Sequence, residues 1–322
     1  MLTRRDTLVG GLCALAFPRI EAALAAQLSY ALSAREVAPG TYVVIGKREY
    51  FTMANGGDIV NVAFVDTKDG AVVIDTGSSK RYGLAFRQLV ERTIGKDIVR
   101  VYNTHHHPDH FLGNQAFDPG VIASTEQVTK NIDAEGEMLA ENLYRLLGDW
   151  MRGTHAVTPG VVVADGEEKI GDHRFELIEL KGHTSSDLVI LDKSTGILFA
   201  GDLAFLDRAA TTPHASISDW QESLDALSKV PHKVLIPGHG EPDGEGRAID
   251  QTRDYLAWLS RTLEQAVKNG LDMTEVMSIQ IPERFQSVAL AREELERSVA
   301  HLYPGLEDRL LPYIGQGESQ AL

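Results

Sequence analysis

Cysteine is all but missing from this chain: its single thiol, Cys13, lies in the N-terminal run, so the body of the chain has neither a disulfide framework nor a cysteine nucleophile. Positive charge is scarce as well. With 31 Lys and Arg against 46 Asp and Glu the formal net charge is -15. That balance excludes the basic face needed by a nucleic-acid binder or by a protein docked on an anionic membrane. No apolar run approaches the roughly 20 residues needed to span a bilayer, so no membrane insertion is expected. There is also no internal repeat and no low-complexity linker to divide the chain. What remains is 322 residues that are 43% hydrophobic, enough to bury a substantial core, with a small molecule as the expected partner.

The first 26 residues stand apart in composition. Arg4 and Arg5 precede an apolar run from Thr7 to Phe17, and Ala23-Leu24-Ala25 offers a small-residue cleavage site. The order Thr3-Arg4-Arg5-Asp6-Thr7-Leu8-Val9 resembles a twin-arginine export signal, which implies a soluble periplasmic protein. Gly-Gly-Leu before Cys13 lacks the small residue that lipid attachment wants there. The expected organisation is therefore an export signal over 1–26, one catalytic domain over 27–246 and a helical extension over 247–322.

Along the main domain, Thr41 to Ile45, Ile59 to Val65 and Ala71 to Asp75 read as strands, followed by a helix from Lys80 to Ile94 and a strand from Ile98 to Tyr102. A long helical stretch from Thr125 to Met151 leads to a second set. Strands are expected at 161–163, 175–180, 188–192, 197–200 and 234–236, with a helix from Asp219 to Leu227. Two β-rich halves, each followed by helices, predict an α+β fold in the form of an αββα sandwich. From Arg247 onward the apolar spacing is helical, in Tyr255 to Val267 and in Val288 to Leu302, which suits a cap or a dimerisation appendage and leaves a homo-oligomer open.

The chemistry is concentrated after the strand ending at Tyr102, in Asn103-Thr104-His105-His106-His107-Pro108-Asp109-His110. His105, His107, Asp109 and His110 are four metal donors within six positions, more than one tetrahedral ion with an open site can use, so two ions are expected. His183, Asp202 and His239 each come after an expected strand and beside glycine, in Lys181-Gly182-His183-Thr184, Ala200-Gly201-Asp202 and Pro237-Gly238-His239-Gly240. Glycine permits the sharp turns that crowd side chains into a site. His106 alternates away from its neighbours and reads as a supporting residue. His155, His173, His232 and His301 belong to no cluster.

From about Thr41 to Gly240, the Asp75 segment Val72-Val73-Ile74-Asp75-Thr76-Gly77, the His-x-His-x-Asp-His cluster, His183, Asp202 and His239 resemble the metallo-β-lactamase superfamily. The resemblance implies that His105, His107 and His183 hold one metal and Asp109, His110 and His239 a second, with Asp202 bridging, and that Asp75 braces the loops beneath. It implies two divalent ions, zinc first, whose shared water becomes a hydroxide nucleophile oriented by Asp109, the one catalytic carboxylate. An aspartate at 202, where β-lactamases of this fold usually carry Cys or Ser, points to a glyoxalase-type hydrolase of thioesters, lactones or other esters. A class B-like β-lactamase and a mononuclear iron persulfide dioxygenase are the alternatives. The export signal, the run Val101 to Asn114, and Phe205-Leu206-Asp207-Arg208 leading to Thr211-Thr212-Pro213-His214 are similar to the exported Sox-associated and quinoprotein relay zinc metallohydrolases. That similarity implies a functional link to periplasmic quinoprotein dehydrogenases. Arg208 and His214 are the expected substrate contacts.

Overall fold

The computed structural model describes residues 28–311, so the export signal expected over Met1–Ala26 and Cys13 within it lie outside the described residues. Two mixed sheets face each other. The first runs in chain order: β1 (Arg35–Ala38), β2 (Thr41–Val44), β3 (Val62–Thr67), β4 (Gly70–Ile74), β5 (Ile98–Tyr102), β6 (Ile122–Thr125) and β7 (Val161–Val163). It is antiparallel as far as β4 and parallel beyond. The second holds β8 (Gly166–Ile170), β9 (His173–Leu180), β10 (Asp187–Asp192), β11 (Ile197–Phe205) and β12 (Val234–His239) in the order β12-β11-β10-β9-β8. Only its β11–β12 pair is parallel.

Strand periodicity explains why runs such as Ala71-Val72-Val73-Ile74 are apolar throughout. Val72 and Ile74 point into the space between the sheets, where they meet Leu188, Ile190, Phe199 and Ile236. Ala71 and Val73 point the other way, onto Tyr82, Phe86 and Val90 of α1 (Lys80–Ile94). Both faces are covered, so no polar alternation survives. Helix α1 is bounded by Ser79, whose side chain accepts from the Tyr82 amide, and by Gly95 in the left-handed conformation at φ 70°. The second sheet is covered in the same way by α4 (Ile217–Leu227) and α5 (Arg247–Lys268). The expected αββα sandwich is therefore observed.

Three strands were not anticipated. β1 and β6 have only four residues each, and β8 is a charged edge strand, Gly-Glu-Glu-Lys-Ile, whose solvated outer positions hide the strand pattern. The strand expected from Ile59 begins only at Val62. Asn61 diverts the chain, its amide donating to the carbonyls of Pro237 and Gly240 while its Oδ1 accepts from the Gly46 amide. The strand expected to end at Ala200 runs on to Phe205, with a register break around Gly201. Asp202 thus sits within the strand at a bulge, not after it, and His239 is the last residue of β12.

The C-terminal helices include α5, α6 (Met273–Met277), α7 (Glu283–Gln286) and α8 (Ala291–Leu310). Their Leu256, Leu259, Leu295 and Val299 share one buried cluster with Leu198 and Ala200 of β11. They also secure the segment after β11. The Ala209 amide donates to the Ala289 carbonyl and the Ala289 amide to that of Asp207, while Thr211 donates to Glu294 at 2.7 Å. Glu294 and Arg208, exposed by only 1% and 3%, pair at 3.5 Å. Removing one member of a buried ion pair leaves the other charge uncompensated. Glu294→Ala is therefore expected to cost about 3 to 5 kcal/mol in a denaturant titration; a loss within 1 kcal/mol would mean that the pair is not needed to hold the tail.

Candidate metal centre

The site is assembled from strand ends around one carboxylate. Asp75 directly follows β4 with φ 57°, the left-handed region, and is buried. Its Oδ1 accepts from the Thr104 amide, and its Oδ2 from the Thr104 hydroxyl and from His110 Nδ1, each at 2.8 Å. The segment it fixes leaves β5 and enters a short helix, α2 (Pro108–Phe111), with proline at its first position. That turn carries Asp109 and His110. Opposite, β11 and β12 must come very close: a Cβ on Gly238 would lie 1.9 Å from Asp202 Oδ1. Glycine there is a steric requirement.

Seven buried side chains converge: His105, His107, Asp109, His110, His183, Asp202 and His239. Their donor atoms fall into two groups, His105 with His107, His183 and Asp202, and Asp109 with His110 and His239. Asp202 joins them. Its Oδ2 lies 3.3 Å from His183 Nε2 and 3.4 Å from His239 Nε2, and its Oδ1 is 3.2 Å from His110 Nε2. Asp109 Oδ2 is 3.4 Å from His239 Nε2.

The outer nitrogens explain how the rings are oriented. His110 Nδ1 faces Asp75, His239 Nδ1 faces the Ile59 carbonyl at 2.7 Å, and His105 Nδ1 lies 3.0 Å from the Thr104 hydroxyl. With a proton on each of those nitrogens, Nε2 is left as a lone pair pointing inward. His107 is reversed: its Nε2 lies 2.8 Å from His214 Nδ1, and its Nδ1 turns inward, 2.7 Å from His183 Nε2. Inside the cluster His105 Nε2, His110 Nε2 and Asp202 Oδ1 are buried with no hydrogen-bond partner among the described residues. Buried polar atoms are rarely left so, and inward lone pairs around a carboxylate are what divalent ions require. The donor set fits a pair of such ions.

Electrostatics agree with that chemistry. Burial drives His105 and His107 well below the usual histidine range, and His183 down to about 3, which keeps them neutral and able to donate. For His110 burial acts downward too, but Asp202, Asp75 and Asp109 outweigh it and raise its pKa. Burial pushes the Asp202 carboxyl up, yet His239 and His110 overcome it and hold it well below the carboxylate range. Asp187, under the His183 loop, is pushed up to about 7 by burial, against hydrogen bonds from Thr184.

A cavity of about 230 Å³ opens over the donors, with His107, Asp109, Asp202 and His239 at its base. Arg208 and His214, expected from sequence near the substrate, both line it, His214 also bracing His107. His106 faces Glu135 of α3 (Glu126–Leu147) at 3.7 Å and takes no place among the seven. His155 stacks its contacts on Gln115, and His173 on Asp192, away from the centre. The helical stretch bearing Tyr144 to Trp150 reads from sequence as core that could also wall the cleft, and α3 does wall it, through Leu139, Leu143 and Leu146; Thr104, the Ile59 carbonyl and Arg297 are not singled out by the sequence. The i, i+4, i+7 spacing of those three leucines is the signal that could have marked this face of α3. Asp75→Asn keeps the shape and tolerates the left-handed backbone while removing the charge. It should lower metal content and reduce turnover by roughly 10- to 100-fold with the circular dichroism spectrum retained; full metal occupancy in that variant would show that Asp75 does not orient the donors.

Comparison with known proteins places this architecture. The family model described as "Metallo-beta-lactamase superfamily" matches residues 55–239. The human acyl-coenzyme A thioesterase MBLAC2 is 25% identical over 223 residues, covering 62% of this chain and 80% of that protein. The hydroxyacylglutathione hydrolase of Gloeothece citriformis is 26% identical, over 72% of this chain and 76% of its own. A metallo-beta-lactamase from Pontibacter korlensis superposes with a TM-score of 0.53 at 21% identity, over 70% of this chain and 99% of that one, a likeness of fold. The match to the family model takes in more than half of the sequence, and the chain belongs to the metallo-beta-lactamase superfamily as a metallo-hydrolase.

Proposed function

We propose that the protein is a dinuclear hydrolase that holds two divalent ions, zinc first, and cleaves a thioester, lactone or other ester-like small molecule in the periplasm. The observation that carries this reading is the convergence of seven donors in two groups joined by Asp202. His105, His107 and His183 would hold one ion and Asp109, His110 and His239 the other, with Asp202 shared. Bound divalent ions supply Lewis acidity, lowering the pKa of water toward neutrality and polarising the bond under attack.

The chain's own groups then have defined tasks. Asp109 borders the cavity as an ionised carboxylate: burial raises its pKa, but His110 and His239 beside it bring it below the usual value. It can therefore orient a water as an ionised hydrogen-bond acceptor. Thr104 and Asp75 keep His105 and His110 in the donating tautomer, and His214 does the same for His107. Among ester-like substrates a thioester comes first, because the similar human protein is named an acyl-coenzyme A thioesterase and that of Gloeothece citriformis a hydroxyacylglutathione hydrolase, and because Asp202 stands where β-lactamases of this fold usually have Cys or Ser. The N-terminal run and the Phe205 to His214 segment support the narrower reading of an exported hydrolase that works alongside periplasmic quinoprotein dehydrogenases.

The deciding measurement is elemental analysis of protein purified without added metal, paired with a thioesterase assay. Close to two zinc ions per chain are expected, with His107→Ala retaining fewer and losing hydrolysis while its sheets stay folded. One iron per chain, or full activity in His107→Ala, would overturn the dinuclear assignment.

A further inference from the structure

The cavity over the donors has two unlike walls. Leu139, Leu143 and Leu146 present one face of α3, and Phe51 adds to this apolar surface. Opposite the donor carboxylates Asp109 and Asp202, the polar part of the lining carries positive charge, with Arg208 and Thr211 from the segment after β11 and Arg297 from α8.

The charges there do not balance. Glu294 is the carboxylate paired with both guanidiniums, its Oε1 lying 3.5 Å from Arg208 Nη2 and 3.9 Å from Arg297 Nη1. Apart from Asp109 and Asp202, which belong to the donor set at the base, this wall sets two cations against one anion, in a chain whose net charge is -15. Arg208 is 3% exposed, and its Nε has no hydrogen-bond partner among the described residues. Arg297 is held over the Tyr50 ring at 5.7 Å and remains one-third exposed, so its donors stay open to the cavity. A guanidinium that shares its only carboxylate with a second cation keeps donors for another anion, and it is shaped to take a carboxylate through two parallel hydrogen bonds.

We propose that Arg297, backed by Arg208, forms a carboxylate subsite, so that the substrate is an acyl compound carrying a second, uncleaved carboxylate and a short apolar spacer that lies along α3. This rests on the hydrolase reading above. Size supports a small acid: a cavity of about 230 Å³ falls below the roughly 300 to 1,000 Å³ of sites that enclose a drug-sized ligand. A short acyl group fits, while a bulky leaving group stays outside. The C-terminal helices thereby take part in choosing the substrate, since Arg297 reaches the cavity only from α8.

The test compares two thioesters of equal length, S-glutaryl- and S-pentanoyl-N-acetylcysteamine, on the metal-loaded enzyme. The wild type should favour the glutaryl compound by tenfold or more in kcat/KM. In Arg297→Ala that ratio should collapse at least tenfold, and Arg297→Lys, which keeps the charge but not the fork, should restore part of it. A wild type without preference, or a ratio untouched by Arg297→Ala, overturns the subsite. If neither thioester is cleaved, it is the thioesterase reading that fails, and the subsite is judged by calorimetric titration of glutarate and pentanoate into both proteins. Tighter glutarate binding that is lost in Arg297→Ala supports it, and equal binding in the two proteins overturns it.

Discussion

The Asp75 carboxylate takes three hydrogen bonds, from the Thr104 amide, the Thr104 hydroxyl and His110 Nδ1, at the point where β4 has ended and the backbone has turned left-handed. Through them the end of one parallel strand dictates the path of the chain leaving the next. The Thr104 hydroxyl passes the constraint on to His105 Nδ1, so one buried anion orients a ring in each of the two donor groups. Because the contacts are out of water, each is stronger than its surface equivalent, and each would be expensive to leave unmade.

The sandwich exists to bring such strand ends together. Its central strands are apolar on both faces, and that is why the meander, the β-α-β unit and the second sheet could be read from sequence: uninterrupted Val, Ile and Leu between turn residues leave few other choices. The short strands β1 and β6 and the charged edge β8 could not, because they carry too little apolar pattern. At the centre, donor identity was legible because four metal-binding side chains in six positions have no ordinary structural use. Orientation was not. Which nitrogen of each ring faces inward depends on partners as remote as the Ile59 carbonyl for His239, or His214 for His107, and a linear pattern does not encode them. The bulge that keeps Asp202 inside β11 escaped notice for the same reason, since it arises from the pairing of β11 with β12.

The C-terminal helices extend the argument from the donors to the cavity. Read as a sequence they suited a cap or an appendage, yet their apolar faces share a core with β11, and Glu294 and Ser298 hold Thr211 and Thr212. Placing Glu294 against Arg208 carries a desolvation cost that an apolar pair of similar volume would avoid. A charged pair in that position makes sense where the guanidinium has a second task facing the cavity, which Arg208 borders.

His107 is braced differently from the other oriented rings, and the difference follows from depth. His110 and His239 are secured by a buried carboxylate and by the main-chain carbonyl of the buried Ile59. His107 is secured from the side, by an imidazole whose own side chain is 40% exposed and which lines the cavity. His214 also lies 4.0 Å from Glu135 of α3, the helix that supplies the leucine wall. A molecule settling along that wall therefore meets the brace of His107, while Asp75 beneath His110 stays buried, so the orientation of the His107 ring is coupled to what the cavity holds.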